Sequence, residues 1–131
     1  MSGIHAKWET TDISELEWCL GIKVERDWDR GTISLNQALY IQDTVSRFQH
    51  LKLDARTRAQ TPCGENIKEL TKGAPDSEET TEVIDEYRSL VGALLWVANV
   101  TRPDISYAVS TLARFTACPE RVHMKAATRV D

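Results

Sequence analysis

Arg88, Gly92, Trp96 and Asn99 recur at intervals of three and four residues, so on a helix turning about 100° per residue they line one sector. Tyr87, Val91, Leu94 and Ala98 line a separate apolar sector. A glycine inside a helix costs roughly 1 kcal/mol relative to alanine, which implies that something approaches the backbone there. A cation, a gap and an indole one turn apart suit the shallow groove of a nucleic-acid duplex. The competing structural explanation is a packing notch against another helix. Acid–base or metal chemistry finds less support. Glu78-Glu79 and Asp85-Glu86 sit in a polar run before and in the opening turns of this helix, where a solvated face or placement on the positive end of the helix dipole accounts for them. His123 has no ligand partners at metal-binding spacing and reads as a surface or packing residue.

The elements that must carry these residues follow from periodicity. From Glu17 to Glu25, Trp18, Leu20, Ile22 and Val24 alternate with Glu17, Cys19, Gly21, Lys23 and Glu25, the pattern of a half-buried strand. Asp27 to Gly31 reads as a turn and Thr32 to Leu35 as the return strand. A helix is expected from about Asn36, with Ser34 and Gln37 as a capping box and Ala38, Ile41, Val45 and Phe48 as its core face. Tyr40 and Arg47 on that helix could reach a phosphate, but solvated or snorkelling roles suffice to explain them. Lys52 to Thr81 is polar and broken by Pro62, Gly64, Gly73 and Pro75, and reads as a connector with at most a helical turn around Lys68 and Leu70. The long helix is expected from about Glu82 to Val100, capped by Thr80 or Thr81. Thr101 then caps a second helix, with Pro103 in its first turn and Ile105, Ala108, Val109, Leu112 and Phe115 on one side. The two helices should pack antiparallel through their apolar stripes, and Pro119-Glu120 opens a terminal helix.

With 131 residues and 41% hydrophobic content, the chain can form one modest core. Its three cysteines, Cys19, Cys63 and Cys118, are odd in number and lack Cys-x-x-Cys spacing, so neither a disulfide framework nor a zinc site is indicated. A reducing, intracellular location is expected, cytoplasmic or nuclear, with no membrane span and no signal peptide. The net charge of −4 opposes nucleic-acid binding by the chain as a whole. Its distribution softens the objection. Residues 65–90 hold eight acids against three bases, whereas residues 91–131 hold five bases against three acids. Arg47, Lys52, Arg56 and Arg58 face only Asp54 between residues 44 and 64.

Tyr87-Arg88-Ser89-Leu90-Val91-Gly92-Ala93-Leu94-Leu95-Trp96-Val97, followed by Thr101-Arg102-Pro103-Asp104-Ile105-Ser106-Tyr107, resembles the reverse transcriptase of Ty1/copia-type retrotransposons. Leu20-Gly21-Ile22, then Ile33 to Gln37 with Tyr40-Ile41 and Arg47-Phe48, then Thr61-Pro62, and finally His123 to Val130 match further motifs in the family's order. The resemblance covers roughly residues 8 to 130. Three positions depart from it: Cys19 stands where an aromatic is common, Ser14 where glycine is usual, and Met124 where tryptophan is usual.

The resemblance implies an α+β fragment of a Pol polyprotein. Residues 1–35 would end the palm with a primer-grip-like hairpin; residues 36–131 would form a thumb-like helical region leading toward ribonuclease H. Cys19, Leu20 and Gly21 would form the tight part of the grip on the primer. Arg88, Gly92 and Trp96 would track the minor groove of an RNA/DNA template–primer: Gly92 admitting sugar edges, Trp96 packing on deoxyriboses and Arg88 donating hydrogen bonds. Asn99 joins them by geometry alone. The intact enzyme would need Mg2+ held by carboxylates that include an Asp-Asp pair. No Asp-Asp occurs in this chain, and by the family's order that motif falls before residue 8. The fragment is expected to hold no cofactor, to be inactive alone and to depend on the palm, fingers and ribonuclease H regions of the same polyprotein, within a virus-like particle in an active element. The alternative is an inactive remnant or co-opted helical module that binds a protein partner, with Trp96 as the apolar anchor.

Overall fold

The computed structural model describes residues 15–51, 61–71 and 81–130. The fold is α+β: among the described residues, three antiparallel strands are followed by four α-helices. The chain divides into two compact units, Met1–Asn36 and Gln37–Asp131.

In the first unit, β1 (Trp18–Cys19), β2 (Ile22–Asp27) and β3 (Thr32–Asn36) form a meander in the order β1-β2-β3. The single strand expected over Glu17–Glu25 is therefore broken. Leu20 (φ 51°) and Gly21 (φ 81°) both adopt left-handed backbone, the arrangement of a type I′ turn, whose twist matches the strands it joins. Reversal at this turn pairs Cys19 with Ile22 and Trp18 with Lys23. Partners across a sheet share a face, so Trp18 leaves the apolar set that simple alternation assigned it, and Cys19 joins that set. One face consequently carries Cys19, Ile22, Val24, Ile33 and Leu35 with Arg26. The other carries Trp18, Lys23, Glu25, Asp27, Thr32 and Ser34. The second turn lies where expected: Asp27 Oδ1 accepts from the backbone N–H of Asp29 (3.1 Å) and Arg30 (3.0 Å), and Gly31 takes φ 64°.

The second unit is helical. α1 (Ala38–Phe48) starts two residues later than expected and has no side-chain cap. Ser34 remains in β3, and Gln37, the intended partner of a capping box, turns inward to accept a hydrogen bond from the Thr101 hydroxyl at 2.7 Å. Thr101 is thereby diverted from capping the next helical segment, where Arg102 occupies the cap position without a side-chain capping bond. Ala38 is exposed, whereas Thr44 joins Phe48 as a buried residue of α1. The polar connector also contributes to the core. Its described part forms a 3-10 turn, Glu65–Glu69, which buries Ile67 and leaves Leu70 packed on the main cluster.

α2 (Thr81–Val100) is the central helix. Thr81 is its first residue, and Thr80 lies outside the described residues. A short 3-10 turn, Pro103–Ile105, leads into α3 (Ser106–Ala113), and α4 (Arg121–Val130) follows. α2 and α3 are antiparallel: Ser106 Oγ donates to the Ala98 carbonyl, Tyr87 Oη to the Leu112 carbonyl and Arg88 Nε to the Thr116 carbonyl. Ile105, Ala108, Val109, Leu112 and Phe115 are all buried, as the apolar spacing requires. His123 closes the unit as a packing residue with no exposed surface. Its ring stacks on Phe115, Nδ1 accepts from the Glu120 N–H (2.8 Å) and Nε2 donates to the Thr71 carbonyl (2.9 Å).

Candidate nucleic-acid interface

The wheel of α2 separates the two sectors cleanly. Tyr87, Val91, Leu94 and Ala98 are buried, while Arg88, Gly92 and Asn99 are exposed and Trp96 is half-buried. Among the described residues, a methyl group built on Gly92 would meet nothing within 4 Å. Among the described residues the glycine is therefore not a packing notch between helices of this unit. Trp96 stands outside the hydrophobic cluster of the described residues. The four positions share one side of a single helix.

The electrostatics of this side are mixed. Arg88 donates through Nε to the Thr116 carbonyl at 2.8 Å, which ties α2 to the turn after α3, and its Nη1 lies 3.7 Å from Asp85 Oδ1. Asp85 falls on the same sector, about 60° around from Arg88 at 100° per residue. Glu86, its neighbour in sequence, points instead to His50 Nε2 at 3.0 Å. The Asp85-Glu86 pair is thus splayed between Arg88 and His50 and does not converge on a common point, and Glu78-Glu79 lies outside the described residues. Among the described residues no group of three His, Cys, Asp or Glu side chains could hold a metal ion.

α1 flanks the same side, because Arg47 Nη2 donates to Ser89 Oγ at 3.5 Å. Neither Ser89 nor the Thr116 carbonyl emerged as part of the site from sequence reasoning; they lie 42 residues from Arg47 and 28 from Arg88, respectively. A cleft of about 420 Å³ opens elsewhere on the unit, lined by Leu94 and Val97 of α2 together with Arg102, Asp104 and Arg129. It faces away from the four-residue row. At its rim the Arg102 guanidinium, bonded to both Asp104 oxygens at 2.9 and 2.7 Å, holds that carboxyl below the usual carboxylate range.

Cys19, Leu20 and Gly21 lie together at the β1–β2 turn, where Leu20 is 78% exposed and projects from the tightest bend of the sheet. Positive φ at Gly21 gives the glycine its reason. This set belongs to the sheet unit and the α2 set to the helical unit.

Comparison with known proteins adds what geometry alone does not. The chain is 32% identical over 119 residues to a Ty5-1 transposon protein of Saccharomyces cerevisiae, covering 91% of this chain and 36% of that protein. It is also 32% identical over 131 residues to the retrovirus-related Pol polyprotein of transposon RE1 from Arabidopsis thaliana, covering 99% of this chain and 8% of the polyprotein. The chain is homologous to Pol polyproteins of Ty1/copia-type transposons. A third such homologue, the Pol polyprotein of transposon TNT 1-94 from Nicotiana tabacum, is 28% identical over 125 residues, 94% of this chain and 9% of the polyprotein. The chain thus spans about a third of the yeast relative and under a tenth of the plant polyproteins. No family model and no solved structure matches it. No helix among the described residues is long and apolar enough to cross a membrane.

Proposed function

We propose that this Pol-homologous chain is the end of the palm and the thumb of a copia-type reverse transcriptase, an RNA-directed DNA polymerase, and that it grips the template–primer duplex. The observation that carries this reading is the space left open at Gly92 among the described residues, flanked on one helix side by exposed Arg88 and Asn99 and half-buried Trp96. A duplex groove laid along that side meets bare backbone at Gly92, an indole face at Trp96, and donors at Arg88 and Asn99. Each of these responds to the shape and sugars of a duplex rather than to its bases, as an enzyme that copies any template requires. The exposed Cys19–Leu20–Gly21 turn takes the role of a primer grip, with backbone close to the primer end. Phosphoryl transfer and the Mg2+ it needs belong to carboxylates in other parts of the polyprotein, and ribonuclease H to a further region. The working location is inside the cell, in the cytoplasm, the nucleus or a virus-like particle.

The test is anisotropy of a labelled RNA–DNA hybrid titrated with the 131-residue chain. The expected result is weak binding that falls steeply with salt and is reduced about tenfold by Trp96→Ala, the loss of one base- or sugar-stacking aromatic, with the helical circular-dichroism signal retained. Unfolding of Trp96→Ala would mean that the indole is core and the groove assignment wrong. The half-buried Trp96 also suits the alternative of a protein partner anchored on this helix, and salt discriminates, because an apolar interface responds far less to ionic strength.

A further inference from the structure

If a duplex lies along α2, its phosphates need a cation, and Arg88 is poorly placed to supply the whole charge. Its Nε is engaged by the Thr116 carbonyl, and Asp85 on the same sector offsets its charge from 3.7 Å. A second guanidinium stands at the opposite flank. Arg47 extends from α1 to Ser89 of α2, and its guanidinium carbon lies 4.6 Å from the centre of the buried Phe48 ring. Among the described residues no carboxylate lies within ion-pair distance of Arg47; its partners are a neutral hydroxyl at 3.5 Å and an aromatic face. At 100° per residue, Ser89 falls about 20° from Trp96 and about 100° from Arg88. Arg47 therefore stands at the Trp96 edge of the exposed sector, level with its first turn.

We propose that Arg47 is a phosphate-binding residue of this interface, with Ser89 and Phe48 holding its guanidinium at the rim so that it meets the sugar–phosphate backbone of a duplex whose groove lies over Gly92 and Trp96. The inference rests on the duplex reading above. Phosphates form the walls of a groove, to either side of whatever occupies it, so a flanking cation meets phosphate where a central residue meets sugar and base edges. The planar guanidinium presents paired donors that match two phosphate oxygens, and the long Ser89 bond is weak enough to be exchanged for a charge-assisted one. Such a contact adds affinity and register but no sequence preference.

The experiment measures hybrid binding by the 131-residue chain across salt, for the wild type, Arg47→Gln, Arg47→Lys and Trp96→Ala. One lost phosphate contact lowers the slope of log K against log salt by about 0.9, so between about 50 and about 200 mM salt Arg47→Gln should lose roughly three- to fourfold less affinity than the wild type. Arg47→Lys should keep the wild-type slope, which a purely structural role for the residue would not explain. Unchanged slope and affinity in Arg47→Gln, alongside weakened Trp96→Ala, would overturn the Arg47 assignment and leave the duplex reading standing. Absence of wild-type binding even at low salt would overturn the duplex reading itself, and this inference with it.

Discussion

In the helical unit Tyr87, Leu90, Val109 and Leu112 keep essentially no surface, whereas Ile33 and Leu35 of the sheet keep 57% and 50% of theirs, although both sets arise from equally regular apolar patterns. The difference lies in what each element has to pack on. α2 and α3 present stripes to each other, and Phe48, Met124 and Ala127 close the remaining sides. The meander also has one apolar face, yet among the described residues every position of β3 is exposed. A small sheet gains independent stability only by burying such a face. The helical unit therefore carries its own stability, while the sheet contributes geometry: a tight turn that holds Leu20 outward and a hairpin ordered by Asp27.

The comparison breaks most readily at one pair of leucines. Leu112→Ala should destabilise the protein by about 3–5 kcal/mol, from lost burial plus a cavity, whereas Leu35→Ala should change global stability by less than about 0.5 kcal/mol. Urea unfolding followed by far-ultraviolet circular dichroism measures both, and equal losses would show that the sheet face is buried in the folded chain. A smaller effect sharpens the helical side. Burial pushes the Tyr87 phenol up from its ordinary value of 10.0. The folded state thus holds that proton more tightly than the unfolded chain does, so its contribution is complete below about pH 10 and is lost as pH rises further. Tyr87→Phe should cost about 1 kcal/mol at neutral pH through the missing bond to Leu112. It should also flatten the alkaline loss, read from urea midpoints at about pH 8 and about pH 11. A last effect, confined to the hairpin, concerns the sheet alone. Leu20 occupies a left-handed conformation that disfavours leucine, so Leu20→Asn, which creates Asn-Gly at a type I′ turn, should stabilise the hairpin by about 1 kcal/mol. Slower amide exchange across the Cys19–Ile22 pair, with the urea midpoint unmoved, is the expected signature.

Much of α2 was legible because its 3.6-residue period is strong and uninterrupted: both the buried and the exposed sectors fall where the wheel puts them. The first hairpin was misread for a physical reason. Leu20 is apolar and holds an alternating position, so a two-residue turn imitated a continuous strand and hid the change of face between Trp18 and Cys19. Local capping rules failed at Ser34, Gln37 and Thr101 because a tertiary bond won. Gln37 Oε1 and the Thr101 hydroxyl, 64 residues apart, bond each other, leaving both helical starts without side-chain caps. The row Arg88, Gly92, Trp96 and Asn99 was visible as a pattern, but Arg88's tie to Thr116 and Arg47's reach to Ser89 depend on packing between helices, which no local period encodes.

The last helix also sets an order of events. His123 binds the Thr71 carbonyl and Arg129 binds both the carbonyl and the hydroxyl of Thr61, at separations of 52 and 68 residues. The segment from 61 to 71 is thus latched by groups made much later in the chain. During synthesis, which adds about 5–20 residues per second, α1 and α2 emerge seconds before that latch exists. The bonds of His123 and Arg129 can form only after α4 has been made, so the helical unit is completed from its C-terminal side. The segment at 61–71 is then among the last parts to be secured and, by the same logic, among the first to be released when α4 detaches.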